Sequence, residues 1–105
     1  MKLPATPTFV DLYFPPNLHD DRDEIQSAIE ADLGPVVDVV GGGLAETGSN
    51  LDLEISWAAD VGLVLQALVG TLTRLRVPDE TIVAISEPAE KVSLAELRRR
   101  SWPSE

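Results

Sequence analysis

Asn50-Leu51-Asp52-Leu53-Glu54-Ile55-Ser56-Trp57, followed by Ala58-Ala59-Asp60 and an apolar run that reaches Leu75 and stops at Pro78, decides the fold of this chain. The first half alternates with period two. Leu51, Leu53, Ile55 and Trp57 fall on one face and Asp52, Glu54 and Ser56 on the other, the pattern of a half-buried strand. The second half changes period: Val61, Val64, Leu65, Leu68, Leu72 and Leu75 recur at three- and four-residue spacing, so an amphipathic helix follows and lies across the apolar face of that strand. Asp60 is its expected N-cap. Gly62 and Gly70 lie inside it, each costing ~1 kcal/mol against alanine, so packing rather than propensity must hold this helix.

Working outward, Thr8-Phe9-Val10-Asp11-Leu12-Tyr13-Phe14 reads as a first strand, with Val10, Leu12 and Phe14 inward, Phe9, Asp11 and Tyr13 outward, and Pro15-Pro16 as its stop. Asp21 is placed to cap a first helix, with Glu24 three residues on in capping-box position, Ile25, Ala28, Ile29 and Leu33 as the buried stripe, and Gly34-Pro35 as the end. Val36-Val37-Asp38-Val39-Val40 is a second strand. The Gly41-Gly42-Gly43 run after it lacks the following helix and the Gly-Lys-Ser/Thr of a phosphate loop, so it predicts a bulge or a strongly twisted hairpin arm. Residues 44–50 read as a hairpin loop and Thr81 to Ile85 as a fourth strand stopped by Pro88. Ser93-Leu94-Ala95-Glu96 is a capping box that opens a short C-terminal helix ending in Arg98-Arg99-Arg100.

The order β-α-β-β-α-β predicts an α+β, ferredoxin-like fold: a four-stranded antiparallel sheet in order 4-1-3-2, two helices on one face and a short C-terminal helix. One domain over residues 1–90 and a basic helix and tail over residues 91–105 is the expected division. At 105 residues the chain can bury a single core.

The chain contains no cysteine, which rules out disulfides and thiolate chemistry. The N-terminus shows no signal-peptide core and no apolar run nears the ~20 residues of a membrane span, so a cytoplasmic protein without membrane attachment is expected. Eighteen acidic against eight basic residues give a net charge of −10. Residues 91–105 carry four basic and two acidic side chains, net +2, which leaves the rest at −12. A polyanion repels phosphate backbones and accelerates encounter with basic partners, so a nucleic-acid partner is not expected. The triple arginine reads either as a nucleic-acid contact or as a favourable helix end and partner for internal acids.

On the predicted sheet the outward residues Asp11, Tyr13, Asp38, Asp52 and Glu54 gather on neighbouring strands, and Asp20, Asp21, Asp23 and Glu24 gather at the start of the first helix. These nine are the candidate partner-binding residues. Carboxylates can also ligate metal or move protons, but such a site needs further polar ligands. The single histidine, His19, lies in a proline-bounded loop and reads as a surface residue. No catalytic residue, metal site or cofactor is predicted. RNA-recognition sheets stack bases on aromatics of both central strands, where strand three here presents Asp52 and Glu54.

The glycine run after strand two, the strand Leu51-Asp52-Leu53-Glu54-Ile55 and the helix closing on Leu75-Arg76-Val77-Pro78 before Thr81-Ile82 together resemble small bacterial proteins of the ferredoxin-like fold that accompany toxins as immunity proteins. The resemblance runs over most of residues 8–86 and rests on fold-keeping positions. It implies a non-catalytic protein that binds and neutralises a cognate toxin domain, expected to be basic, and it assigns no individual contact residue. The alternative on the same fold is a regulatory, amino-acid-binding module of the ACT-like kind, acting as a homodimer, with the Gly41–Gly43 turn shaping a ligand pocket.

Overall fold

The computed structural model describes residues 7–18, 21–45, 48–56, 59–86 and 89–100. Five strands and three helices occur in the order β1 (Thr8–Phe14), α1 (Arg22–Leu33), β2 (Val37–Ala45), β3 (Gly48–Ile55), α2 (Val61–Arg74), β4 (Ile82–Ser86), β5 (Ala89–Ser93) and α3 (Leu94–Arg99). The strands form one antiparallel sheet in the order β2-β3-β1-β4-β5.

This corrects the expected fold, because the sheet has five strands rather than four and a third helix shares the core. The missed strand, β5, pairs with β4 from Ile82↔Ser93 to Ser86↔Ala89. It carries a single large apolar residue, Val92, which sits opposite Val83 and is buried. The charged neighbours Glu90 and Lys91 hide the strand from a hydrophobicity pattern, yet charge is what a sheet edge needs to discourage further pairing. β5 runs across residues 90 and 91, and Leu94 and Leu97 of α3 are fully buried in the main core. β2 is also longer than expected. It continues through Gly41-Gly42-Gly43 to Ala45, paired with β3 throughout, with a register shift between Val39 and Gly41.

The core lies on one side of the sheet. Val10, Leu12 and Phe14 of β1 and Leu51, Leu53 and Ile55 of β3 meet Ile25, Ile29 and Leu33 of α1 and Val64, Leu65, Leu68 and Leu72 of α2. Burying a side chain of this size contributes ~1.5–3 kcal/mol, so these stripes outweigh the two glycines inside α2. Val61, Ala28 and Leu75, assigned to the same stripes, are half-buried, and Trp57 lies outside the described residues.

Side-chain caps start all three helices: Asp21 accepts from the Glu24 amide at 2.9 Å, Asp60 from Leu63 at 3.1 Å and Ser93 from Glu96 at 3.1 Å. α2 ends with Arg76 in the left-handed region, φ 59°. The Val77 amide returns to the Leu72 carbonyl at 3.0 Å and the Arg76 amide to Thr73 at 3.1 Å, which satisfies carbonyls the last turn leaves open.

Two of the three arginines at the C-terminal end of α3, Arg98 and Arg100, are internal ties. Arg98 pairs with Asp79 and donates to Thr73 Oγ1 at 3.0 Å and to the Val77 carbonyl at 3.1 Å, while Arg100 grips Glu90 through both terminal nitrogens at 2.6 and 3.3 Å. They clamp α3 to the end of α2 and to β5.

Candidate functional site

Among the described residues, no helix lies on the opposite side of the sheet. Along β1 the burial alternates strictly, so Phe9, Asp11 and Tyr13 all face outward on the central strand. The register sets them in three rows. Asp38 lies opposite Glu54 and Glu54 opposite Phe9; Gly41, Asp52, Asp11, Ala84 and Lys91 form the middle row; Gly43, Asn50, Tyr13, Ile82 and Ser93 form the third.

The middle row sets two carboxylates directly across from each other, Asp11 and Asp52. Like charges in that position repel. Partial burial first, then the charge of Asp52 and a hydrogen bond with its carboxyl, raise the pKa of Asp11 above its ordinary value. Asp11 therefore keeps its proton to a higher pH than a free aspartate. Asn50 donates to Asp52 Oδ1 at 3.1 Å and orients that carboxylate.

Two of the three glycines serve opposite sides of the same strand. A Cβ on Gly41 would stand 2.9 Å from Asp52 Oδ2, so this glycine leaves room for the carboxylate on the open side. A Cβ on Gly42 would stand 2.6 Å from a terminal nitrogen of Arg22, so its neighbour leaves room for the α1 arginine on the covered side. The run is therefore a strand segment with side-chain clearance on both faces. It is not the pocket-forming turn of the amino-acid-binding alternative.

A cavity of about 260 Å³ opens where the Asp38–Glu54 pair meets the sheet's end, lined by Pro7, Pro35, Val36 and Ser56 besides the two carboxylates. A second, of about 350 Å³, lies on the helix side between the end of α1 and the start of α2, floored by Leu33, Val64 and Ala67 with Leu63 half-exposed at its edge. Its acids are engaged. Asp60 caps α2, and Asp32 accepts from the Thr71 hydroxyl at 2.7 Å and pairs with Arg74 at 2.9 Å, contacts that lower its pKa, the Thr71 bond most.

The structure thus brings Asp11, Tyr13, Asp38, Asp52 and Glu54 together on one face, while the acidic start of α1 is a separate region on the covered side. There Asp21 is spent on the helix cap and Asp23 lies 3.4 Å from Arg22. Asp20 and His19 lie outside the described residues. Phe9, Asn50, Gly41 and Lys91 belong to the face as well. Phe9 was legible as an outward residue, Asn50 as the start of the period-two stretch, and Lys91 was hidden with its strand. Among the described residues no group of three acidic or histidine side chains is placed to hold a metal ion, and no helix is long and apolar enough to cross a membrane.

No family model matches the chain, and neither the curated proteins nor the solved structures contain a significant match to it.

Proposed function

We propose that this chain is a non-catalytic immunity protein that binds a basic toxin domain and neutralises it. The observation that supports the reading is where charge is left over. Arg22, Arg74, Arg98 and Arg100 each have a carboxylate partner inside the chain, whereas Asp11, Asp38, Asp52 and Glu54 converge on a face whose only described strand cation is Lys91. Gathering like charge costs stability, and a cationic partner recovers that cost on binding.

Steering is the first consequence: a cationic surface approaches such a face faster than diffusion of neutral bodies allows, and salt weakens the effect. Blocking follows from size alone, since an 11.3 kDa protein seated over an active site excludes a macromolecular substrate. The test is protection. Cells producing a basic toxin domain that this chain neutralises should survive when this chain is co-produced, and the two purified proteins should form a stoichiometric complex without toxin activity. A toxin domain that stays fully active with this chain in excess contradicts the reading.

A further inference from the structure

Phe9 and Tyr13 are 41% and 46% exposed, and they bracket Asp11 at two residues' distance on the central strand. Exposed large apolar side chains are normally scattered, whereas here two rings stand either side of a carboxylate pair in the middle of an uncovered sheet. Relief adds to chemistry. The row that holds Asp11 and Asp52 has Gly41 and Ala84 as its flanking neighbours, and the Asp52 carboxylate lies over Gly41, so only small residues adjoin the acid pair between the Phe9 and Tyr13 rows.

An arginine side chain matches these features together. Its guanidinium donates two parallel hydrogen bonds to a carboxylate, its flat face lies against an aromatic ring, and its methylene stem covers apolar surface. A lysine ammonium is a hydrated point charge and gains less from the rings. A phosphate backbone would meet four carboxylates, and a second copy of this face would set acid against acid.

We propose that the open sheet face is the docking surface for a protein that presents an arginine, received over Asp11 and Asp52 between Phe9 and Tyr13. This rests on the binding reading above and adds the face and the recognised chemistry. The occupant is a cationic protein surface. The acids at the start of α1 steer at most, because they lie on the covered side and Asp21 is already held by its own helix.

The test follows the backbone amides of the full chain by NMR while a blocked arginine-glycine repeat peptide is added, with lysine-glycine and glutamate-glycine peptides and an oligouridine RNA as comparisons. The arginine peptide should shift β1 and β3 amides and bind more tightly than the lysine peptide, with no response to glutamate peptide or RNA. Asp11→Asn with Asp52→Asn, which removes a repulsion and so keeps the fold, should weaken arginine-peptide binding at least about tenfold, and Asp23→Asn with Glu24→Gln should change it by less than about twofold. Phe9→Leu with Tyr13→Leu should abolish the preference for arginine over lysine, an effect that mere support of the fold would not produce. Shifts centred on α1, equal losses in both charge variants, no arginine-peptide binding, or RNA binding on β1 would each overturn the assignment. An arginine peptide seated elsewhere removes the sheet face while leaving the protection assay to decide the binding reading.

Discussion

β1 and β3 present two faces built on opposite terms. Toward the helices, Val10, Leu12 and Phe14 lie beside Leu51, Leu53 and Ile55, all 3% exposed or less. Away from them, the same strands set Asp11 against Asp52 and Glu54 beside Phe9. One face lowers the free energy of the fold, and the other raises it. Because alternate residues of one strand belong to opposite faces, stability supplied by the first lets the second hold a charge arrangement that would not persist alone. The difference teaches where selection for something other than folding has a place to act.

The largest effects should come from the covered face. Leu68 is 2% exposed in the middle of the α2 stripe, so Leu68→Ala should cost ~2–5 kcal/mol in urea unfolding through lost burial and a residual cavity. A loss below ~1 kcal/mol would mean that α2 does not carry the core.

Next comes the joint that keeps the two faces from exchanging. Gly48 opens β3 at φ 144°, and a Cβ there would stand 2.1 Å from the Phe14 carbonyl oxygen. Gly48→Ala should cost ~1–3 kcal/mol and disturb the β1–β3 register, read as altered amide shifts along both strands. Wild-type stability in this variant would show that the register is set elsewhere.

A smaller change should improve the covered side. Thr81 is fully buried and its hydroxyl has no hydrogen-bond partner among the described residues, so Thr81→Val should raise stability by ~1 kcal/mol in the same unfolding assay. A destabilised Thr81→Val would mean that the hydroxyl is satisfied in solution.

The open face should respond with the opposite sign to acid. Protonation of Asp11 is favoured in the folded state, so its unfavourable contribution grows as pH rises through the window between the ordinary aspartate value and its raised one. Asp11→Asn should therefore stabilise by ~0.2–1 kcal/mol at neutral pH, a gain that shrinks below that window. Asp32 behaves in reverse: its lowered pKa gives stability that is present at neutral pH and lost as pH falls through the folded value. Urea midpoints across an acid titration check both signs, and an Asp11→Asn advantage that persists unchanged into acid would remove the carboxyl-pair explanation.

The covered face was the legible one. A stripe such as Ile25, Ile29 and Leu33, or an alternation such as Leu51, Leu53 and Ile55, states which side of an element is buried, and the caps Asp21, Asp60 and Ser93 mark where helices begin. β5 was not legible because an edge strand needs only one inward side chain, and Val92 alone makes no pattern. The continuation of β2 through three glycines escaped for a related reason: glycine carries no strand preference, and the ladder with β3 holds it in place. At the candidate site the period of two showed that Asp11 and Asp52 face outward. It could not show that they stand opposite each other, since register follows from the whole sheet and the hairpin geometry. Asp21 was legible both as the cap of α1 and as an exposed acid, and the structure shows its side chain committed to the cap.

The most direct test of the acidic face as the docking surface is the association rate with a basic toxin domain of the proposed kind, measured at low and moderate salt. Asp52→Lys with Glu54→Lys is compared with Asp21→Asn, Asp23→Lys and Glu24→Lys. The account predicts that the sheet-face variant associates at least about tenfold more slowly and loses most of its salt dependence, while the α1 variant stays close to wild type. Unchanged rates and salt slopes in the sheet-face variant would contradict it.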